Sequence, residues 1–179
     1  MTHDASRDDA LRDAPDATPD DMDDDFAAIG DPATSPVLRQ VIAFTALLSG
    51  LVALYLHLWK LGLMGPLACT ANHGCEIVQL SAWGRFLGVD VALIGTIGYA
   101  LIFAVAIVGT LPRHVDARWP TYVLAALVYP AVLFTVRLKH AEFFIMHTFC
   151  PWCAVSAVTI TLHAVLVALD WRRVRRVTE

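Results

Sequence analysis

The chain has 179 residues, 57% of them hydrophobic and only 17% charged, with a mean hydropathy of +0.58. Soluble domains average about 25% charged residues, so an ordinary cytosolic globule is excluded, as are a basic nucleic-acid binder and a large soluble enzyme with its own cofactor domain. The formal charge of −4 averages two unlike segments: residues 1–36 hold 11 of the 17 acidic residues, all Asp, while residues 37–179 are net basic and carry nearly all the apolar content.

The first 36 residues are rich in Asp, Ala and Pro and poor in large apolar side chains. Such a segment cannot bury enough surface to offset the entropy of ordering. It is expected to be a disordered acidic tail, either solvated in the cytoplasm or acting as a docking tail. A signal peptide needs a basic start followed by an apolar stretch, and repeated Asp is the opposite.

Beyond Pro36, four apolar runs approach the ~20 residues needed to cross a bilayer. They are Val41–Trp59, Val91–Leu111, Trp119–Val136 and Cys153–Leu169. The second has no charge at all and gives about 31 Å of helix at 1.5 Å per residue. Pro130 should kink the third, and the fourth is short unless it begins near Thr148. Buried helices of a soluble fold are the competing reading, but they would leave too little polar surface. The expectation is an all-α integral membrane four-helix bundle over 37–170. A long loop joins its first two helices, and a basic tail follows at 171–179.

Positive charge then suggests an orientation. Arg39, Arg113, Arg118, Arg172, Arg173, Arg175 and Arg176 flank one side, against Lys60, Arg85, Arg137 and Lys139 on the other. Both termini are expected in the cytoplasm, with the 59–90 and 137–149 loops outside.

The four cysteines all fall on that outer side: Cys69 and Cys75 in the long loop, Cys150-Pro-Trp-Cys153 at the head of the fourth helix. The outer side is the oxidising one. A helix N-terminus stabilises a thiolate through unpaired N–H groups and partial positive charge, and a thiolate is the species that attacks a disulfide. Pro151 lacks an N–H and suits a first helical turn. Structural disulfides are a competing reading, though mainly a device of small secreted domains. A zinc site is unconvincing, because the two pairs are separated by two spans. Haem attachment wants Cys-x-x-Cys-His, and Ala154 follows here.

With these residues in place the sequence resembles the bacterial form of the vitamin K epoxide reductase family. The resemblance rests on Cys69-x5-Cys75, Ser81, the stretch from Phe86 to Tyr99, and Cys150-Pro-Trp-Cys153. It covers about residues 37–169. In the DsbB family, which also has four helices and two pairs, the order of the pairs is reversed.

The resemblance implies a thiol oxidase that supports disulfide formation in a bacterial cytoplasmic membrane. Cys69 and Cys75 would take electrons from a DsbA-like or thioredoxin-like protein. Cys75 would pass them to Cys150, and Cys153 would face a quinone (menaquinone or ubiquinone) held among the helices. A strongly oxidising carrier sits near about −120 mV, so recharging it calls for a membrane oxidant. Many bacterial members carry a fused thioredoxin-like domain; this chain runs to Glu179 without one, which implies a separate partner. Where mammalian members have a Tyr and an Asn that bind the ring ketone, this sequence has Ala157 and Val91. Reduction of quinone is therefore expected over reduction of vitamin K epoxide. A non-enzymatic scaffold with two structural disulfides is the rival from another class.

Several other residues carry open alternatives. Ser81 either assists at the quinone or caps a loop. Trp83, Phe86 and Leu87 form a lid over the quinone or an interfacial anchor; Phe86 and Ser81 join Cys153 as candidate quinone contacts. His73 depresses a thiol pKa or is a plain loop residue. His163, deep in the fourth span, is functional or a neutral hydrogen-bonded side chain. Arg137, Lys139 and His140 are a solvated helix end or a dock for an acidic partner. Gly95 and Gly98 are expected to allow close helix packing.

Overall fold

The structure is a computed structural model and describes residues 37–67, 69, 74–115 and 117–176. The acidic tail expected at 1–36 lies outside the described residues, as does His73. Four long helices form the body: α1 (Val37–Lys60), α3 (Val91–Thr110), α4 (Trp119–His140) and α5 (Pro151–Arg176). All four are long and apolar enough to cross a membrane. The chain is an all-α, multi-pass membrane protein. Its outer surface carries large apolar side chains such as Phe44, Leu133 and Val158, more than 60% exposed, which suits lipid rather than water.

Between α1 and α3 the loop folds into a short helix α2 (Gly74–Leu80), a 3-10 turn (Ala82–Gly84), and the paired strands β1 (Arg85–Phe86) and β2 (Val89–Asp90). Leu87 and Gly88 both have positive φ, 51° and 83°, the requirement of a type I′ hairpin turn. The hairpin delivers Asp90 to the start of α3, where its carboxylate accepts the Ala92 N–H at 3.1 Å. Asp90 also binds His57 at 2.7 Å and pairs with Lys60. Burial opposes its charge, but the hydrogen bonds from Lys60 and His57 outweigh burial and hold the carboxyl below its ordinary value. This N-cap therefore also ties the end of α1 to the start of α3.

The helices run past the limits that hydropathy suggests. α4 continues through Lys139 and His140 into a π-helical turn (Ala141–Ile145), and α5 begins at Pro151 and extends to Arg176. Small residues let the helices approach. Ala43, Ala46, Ala106 and Ala125 sit in the main core with Ile42, Leu124, Val128 and Val167. A Cβ on Gly50 would lie 3.3 Å from the Tyr99 Cβ. Gly95 contacts Ala53 in the same way, but nothing lies within 4 Å of a Cβ built on Gly98. Gly98 opens onto a cavity instead of packing against a helix.

Arg39 departs from its expected role as a surface charge. It is fully buried and bonds Asp170 near the end of α5 at 3.1 Å, the Gly109 carbonyl at 2.7 Å and Thr121 Oγ1 at 3.1 Å. Thr121 in turn donates to Asp170 at 2.5 Å. One guanidinium thus closes the end of the bundle opposite the cysteines, satisfying a carbonyl left open at the C-terminus of α3. Arg39 is thus a buried, paired residue of the bundle end. Lys60 and Lys139 on the cysteine side are also engaged, with Asp90 and Glu142.

Candidate functional site

The four cysteines meet in one apolar cluster at the end of the bundle. Cys75 and Cys150 are fully buried there with Leu56, Leu67 and Ala92, and Cys69 and Cys153 pack against them. Cys69 and Cys75 form a disulfide with Cα atoms 6.0 Å apart, while Cys150 and Cys153 are free thiols. Gly74 is what brings the two pairs together. A Cβ there would stand 2.6 Å from the Phe149 carbonyl oxygen and 2.8 Å from Thr148 Oγ1, so only a glycine permits α2 to lie this close to the strand of chain leading into α5.

Cys150 occupies the cap position before Pro151. Its sulfur accepts the Cys153 N–H at 3.3 Å, and its carbonyl accepts the Ala154 N–H at 3.0 Å. Sulfur here replaces the Ser or Asp oxygen that usually caps a helix. Hydrogen bonding from the Cys153 thiol lowers the Cys150 pKa to about 7, against burial, with further help from the Cys153 N–H and the Lys139 charge. Cys150 is thus the thiolate of the pair near neutral pH.

Two residues not singled out in the sequence hold this arrangement. Glu142, on the π-helical turn and 1% exposed, accepts the Cys150 N–H at 2.7 Å and the Lys139 ammonium at 2.8 Å. The π turn displaces this carboxylate toward Cys150, a usual place for such bulges. Gln79, one turn along α2 from Cys75, points its amide nitrogen at Cys153 Sγ, 3.6 Å away. The signals available were the lone acidic residue eight positions before Cys150 and the four-residue spacing from Cys75 to Gln79. Lys139 belongs to this site, and so is not simply a solvated helix end.

Beneath Cys153 opens a cavity of about 470 Å³ between all four long helices, with walls that are mainly apolar. Cys153, Gln79, Trp83, Lys139 and Glu142 surround its cysteine end, and Ser49, Tyr99 and Ser156 lie deeper. Trp83 is held by the Arg137 guanidinium, 5.1 Å from its ring centre. The structure brings Cys153 and Trp83 to the cavity but not Ser81 or Phe86. Ser81 donates to the Val78 carbonyl at 2.7 Å, a loop-capping contact. Phe86 packs edge-on against Phe134, a wall residue, with centroids 5.2 Å apart. Val91 lines the cavity, whereas Ala157 faces a separate groove beside α4. His163 lies below, its Nε2 bonded to Thr45 Oγ1 at 2.8 Å.

Residues 40–168 match the sequence model of the vitamin K epoxide reductase family. The chain belongs to that family. Membership makes this vitamin K epoxide reductase family protein a membrane thiol oxidoreductase linked to quinone. The cavity fits such a group: it is of ligand size, mainly apolar, and carries a few placed polar side chains, with one thiol in its wall.

Proposed function

We propose that the chain is a quinone-dependent thiol oxidase that recharges a separate thioredoxin-fold, DsbA-like protein and so supports disulfide formation. The observation that carries this reading is the gathering of both cysteine pairs into one cluster from which Cys153 reaches the apolar cavity. A reduced partner would exchange with Cys69–Cys75, leaving with its own disulfide and two thiols behind on the loop. The Cys75 thiolate then attacks Cys150 of a Cys150–Cys153 disulfide, expelling the Cys153 thiolate. Attack of Cys69 on Cys75 releases Cys150. The products are a Cys69–Cys75 disulfide and a Cys150/Cys153 dithiol, the same pairing the structure holds.

A bound quinone supplies a two-electron, two-proton acceptor at the cavity. Closing of the Cys150–Cys153 bond gives up two electrons and two protons and resets the pair. Cys150 is the readily ionised member, and Gln79 and Glu142 hold the two cysteines in place. The cysteine end is assigned to the outside of a bacterial cytoplasmic membrane, where disulfides persist.

Cys153→Ser should abolish quinone reduction by every thiol donor, whereas Cys69→Ser should spare reduction driven by a small dithiol. Normal turnover in Cys153→Ser would overturn the proposal.

A further inference from the structure

The cavity carries its polar groups at two levels. Gln79, Lys139 and Glu142 surround Cys153 at the upper one, and Ser49, Tyr99 and Ser156 form the lower one. Ser156 lies three residues beyond Cys153 on α5, about 4.5 Å deeper at the rise of an α-helix. The Tyr99 hydroxyl is 2.9 Å from Ser156 Oγ and 3.1 Å from the Ser156 carbonyl oxygen, and Ser49 lines the same wall. Ser49 donates to Thr159 Oγ1 at 3.0 Å, and Thr159 donates to the Val155 carbonyl at 3.0 Å.

The hydrogen bonds leave capacity in this cluster. The Ser49 and Thr159 protons are committed to Thr159 and Val155. Tyr99 and Ser156 have one proton each and share two acceptors, each other and the Ser156 carbonyl. Turning one hydroxyl toward the cavity frees a donor and leaves the other still bonded. The Tyr99 ring is fixed for this task. Its Cβ abuts Gly50, and its ring meets His163 edge-to-face at 6.1 Å.

We infer that Tyr99 and Ser156 form a hydrogen-bonding subsite for the second carbonyl oxygen of the quinone head group, the one remote from Cys153. The inference rests on the oxidase reading above. Opposite carbonyls of a quinone ring stand about one helical turn apart, the spacing of Cys153 and Ser156. Both oxygens gain negative charge on reduction, and a donor to each strengthens as that charge develops. Apolar wall residues such as Ile102 and Ile160 supply no donor at that depth. The subsite selects a ring with two opposed oxygens over one with a single ketone. Tyr99 and Ser156 are positioning residues.

The probe is menadione, with carbon-13 at either carbonyl, added to the full-length protein in detergent. Binding is read by equilibrium titration, and each carbonyl by its infrared band. Wild type should displace both bands. Tyr99→Phe keeps the ring, and it should raise the dissociation constant about fivefold, the value of one buried neutral hydrogen bond, and return one band to its free position. Ser156→Ala should shift the same band. Tyr129→Phe, on the exposed side of α4, should change neither readout. Reduction of Cys69–Cys75 by dithiol should proceed in all variants, and the KM for menadione should rise more than kcat falls. Wild-type affinity and unmoved bands in both Tyr99→Phe and Ser156→Ala would overturn the subsite while leaving the oxidase reading intact. Failure of that reading looks different: wild-type protein would bind no menadione, or would bind it without passing on dithiol electrons.

Discussion

Gly74→Ala tests how closely the two cysteine pairs must approach. The added methyl would lie 2.6 Å from the Phe149 carbonyl oxygen, where ordinary contact begins at 3.4 Å, so α2 and the chain before α5 must separate by roughly 0.8 Å. Helix propensity favours Ala by about 1 kcal/mol, while overpacking costs about 1–3 kcal/mol; global stability should therefore fall by no more than about 2 kcal/mol. The displacement matters more, because it falls between Cys75 and Cys150. A misplacement of about 1 Å at a reacting centre can cost on the order of 100-fold. Transfer from reduced Cys69/Cys75 to the Cys150–Cys153 disulfide should slow by about 10- to 100-fold, read by acid-quenched alkylation after a pulse of dithiol. Quinone binding should be unchanged. An unaltered transfer rate in a folded Gly74→Ala protein would refute the claim that this contact sets the distance.

Arg39→Met should be the most damaging substitution far from the cysteines. It strands Asp170 in a buried site, and removing one partner of a buried pair costs about 3–5 kcal/mol. Thermal unfolding in detergent should show a large loss, partly recovered by Arg39→Met with Asp170→Leu. Alkylation of Cys150 should rise with pH through about 7, since the thiolate predominates above that value. In Cys153→Ala the principal hydrogen bond is gone, and the midpoint should move upward toward the ordinary 9.0. An unmoved midpoint would mean that the helix terminus and Lys139, and not the neighbouring thiol, set the acidity.

The spans were legible because about 20 apolar residues in a row have few other uses. Their ends were not. Hydropathy stops at the first charge, yet Lys139 stays helical because Glu142 meets it, and α5 continues beyond Leu169 through the arginines to Arg176. Arg39 reads as a surface charge until its partner 131 residues away is seen. The cysteines and Trp83 carry recognisable spacing. Glu142 and Gln79 do not, because their roles depend on a π turn and on the docking of α2, which are tertiary events. Ser81 and Phe86 sit beside recognisable motifs, but Ser81 turns back to a carbonyl of α2 and the hairpin sets Phe86 against a wall ring.

The central claim is that electrons cross from Cys75 to Cys150. In Cys69→Ala, the thiol that attacks Cys75 to release Cys150 is missing, so Cys75 that has attacked the Cys150–Cys153 disulfide should stay bonded to Cys150. Nonreducing peptide mapping of this variant, isolated from cells, should yield a Cys75–Cys150 crosslink that vanishes with dithiothreitol. Finding Cys75 as a free thiol, with Cys150 free or bonded only to Cys153, at rest and during turnover, would contradict the relay and leave the Cys69–Cys75 disulfide as a structural bond.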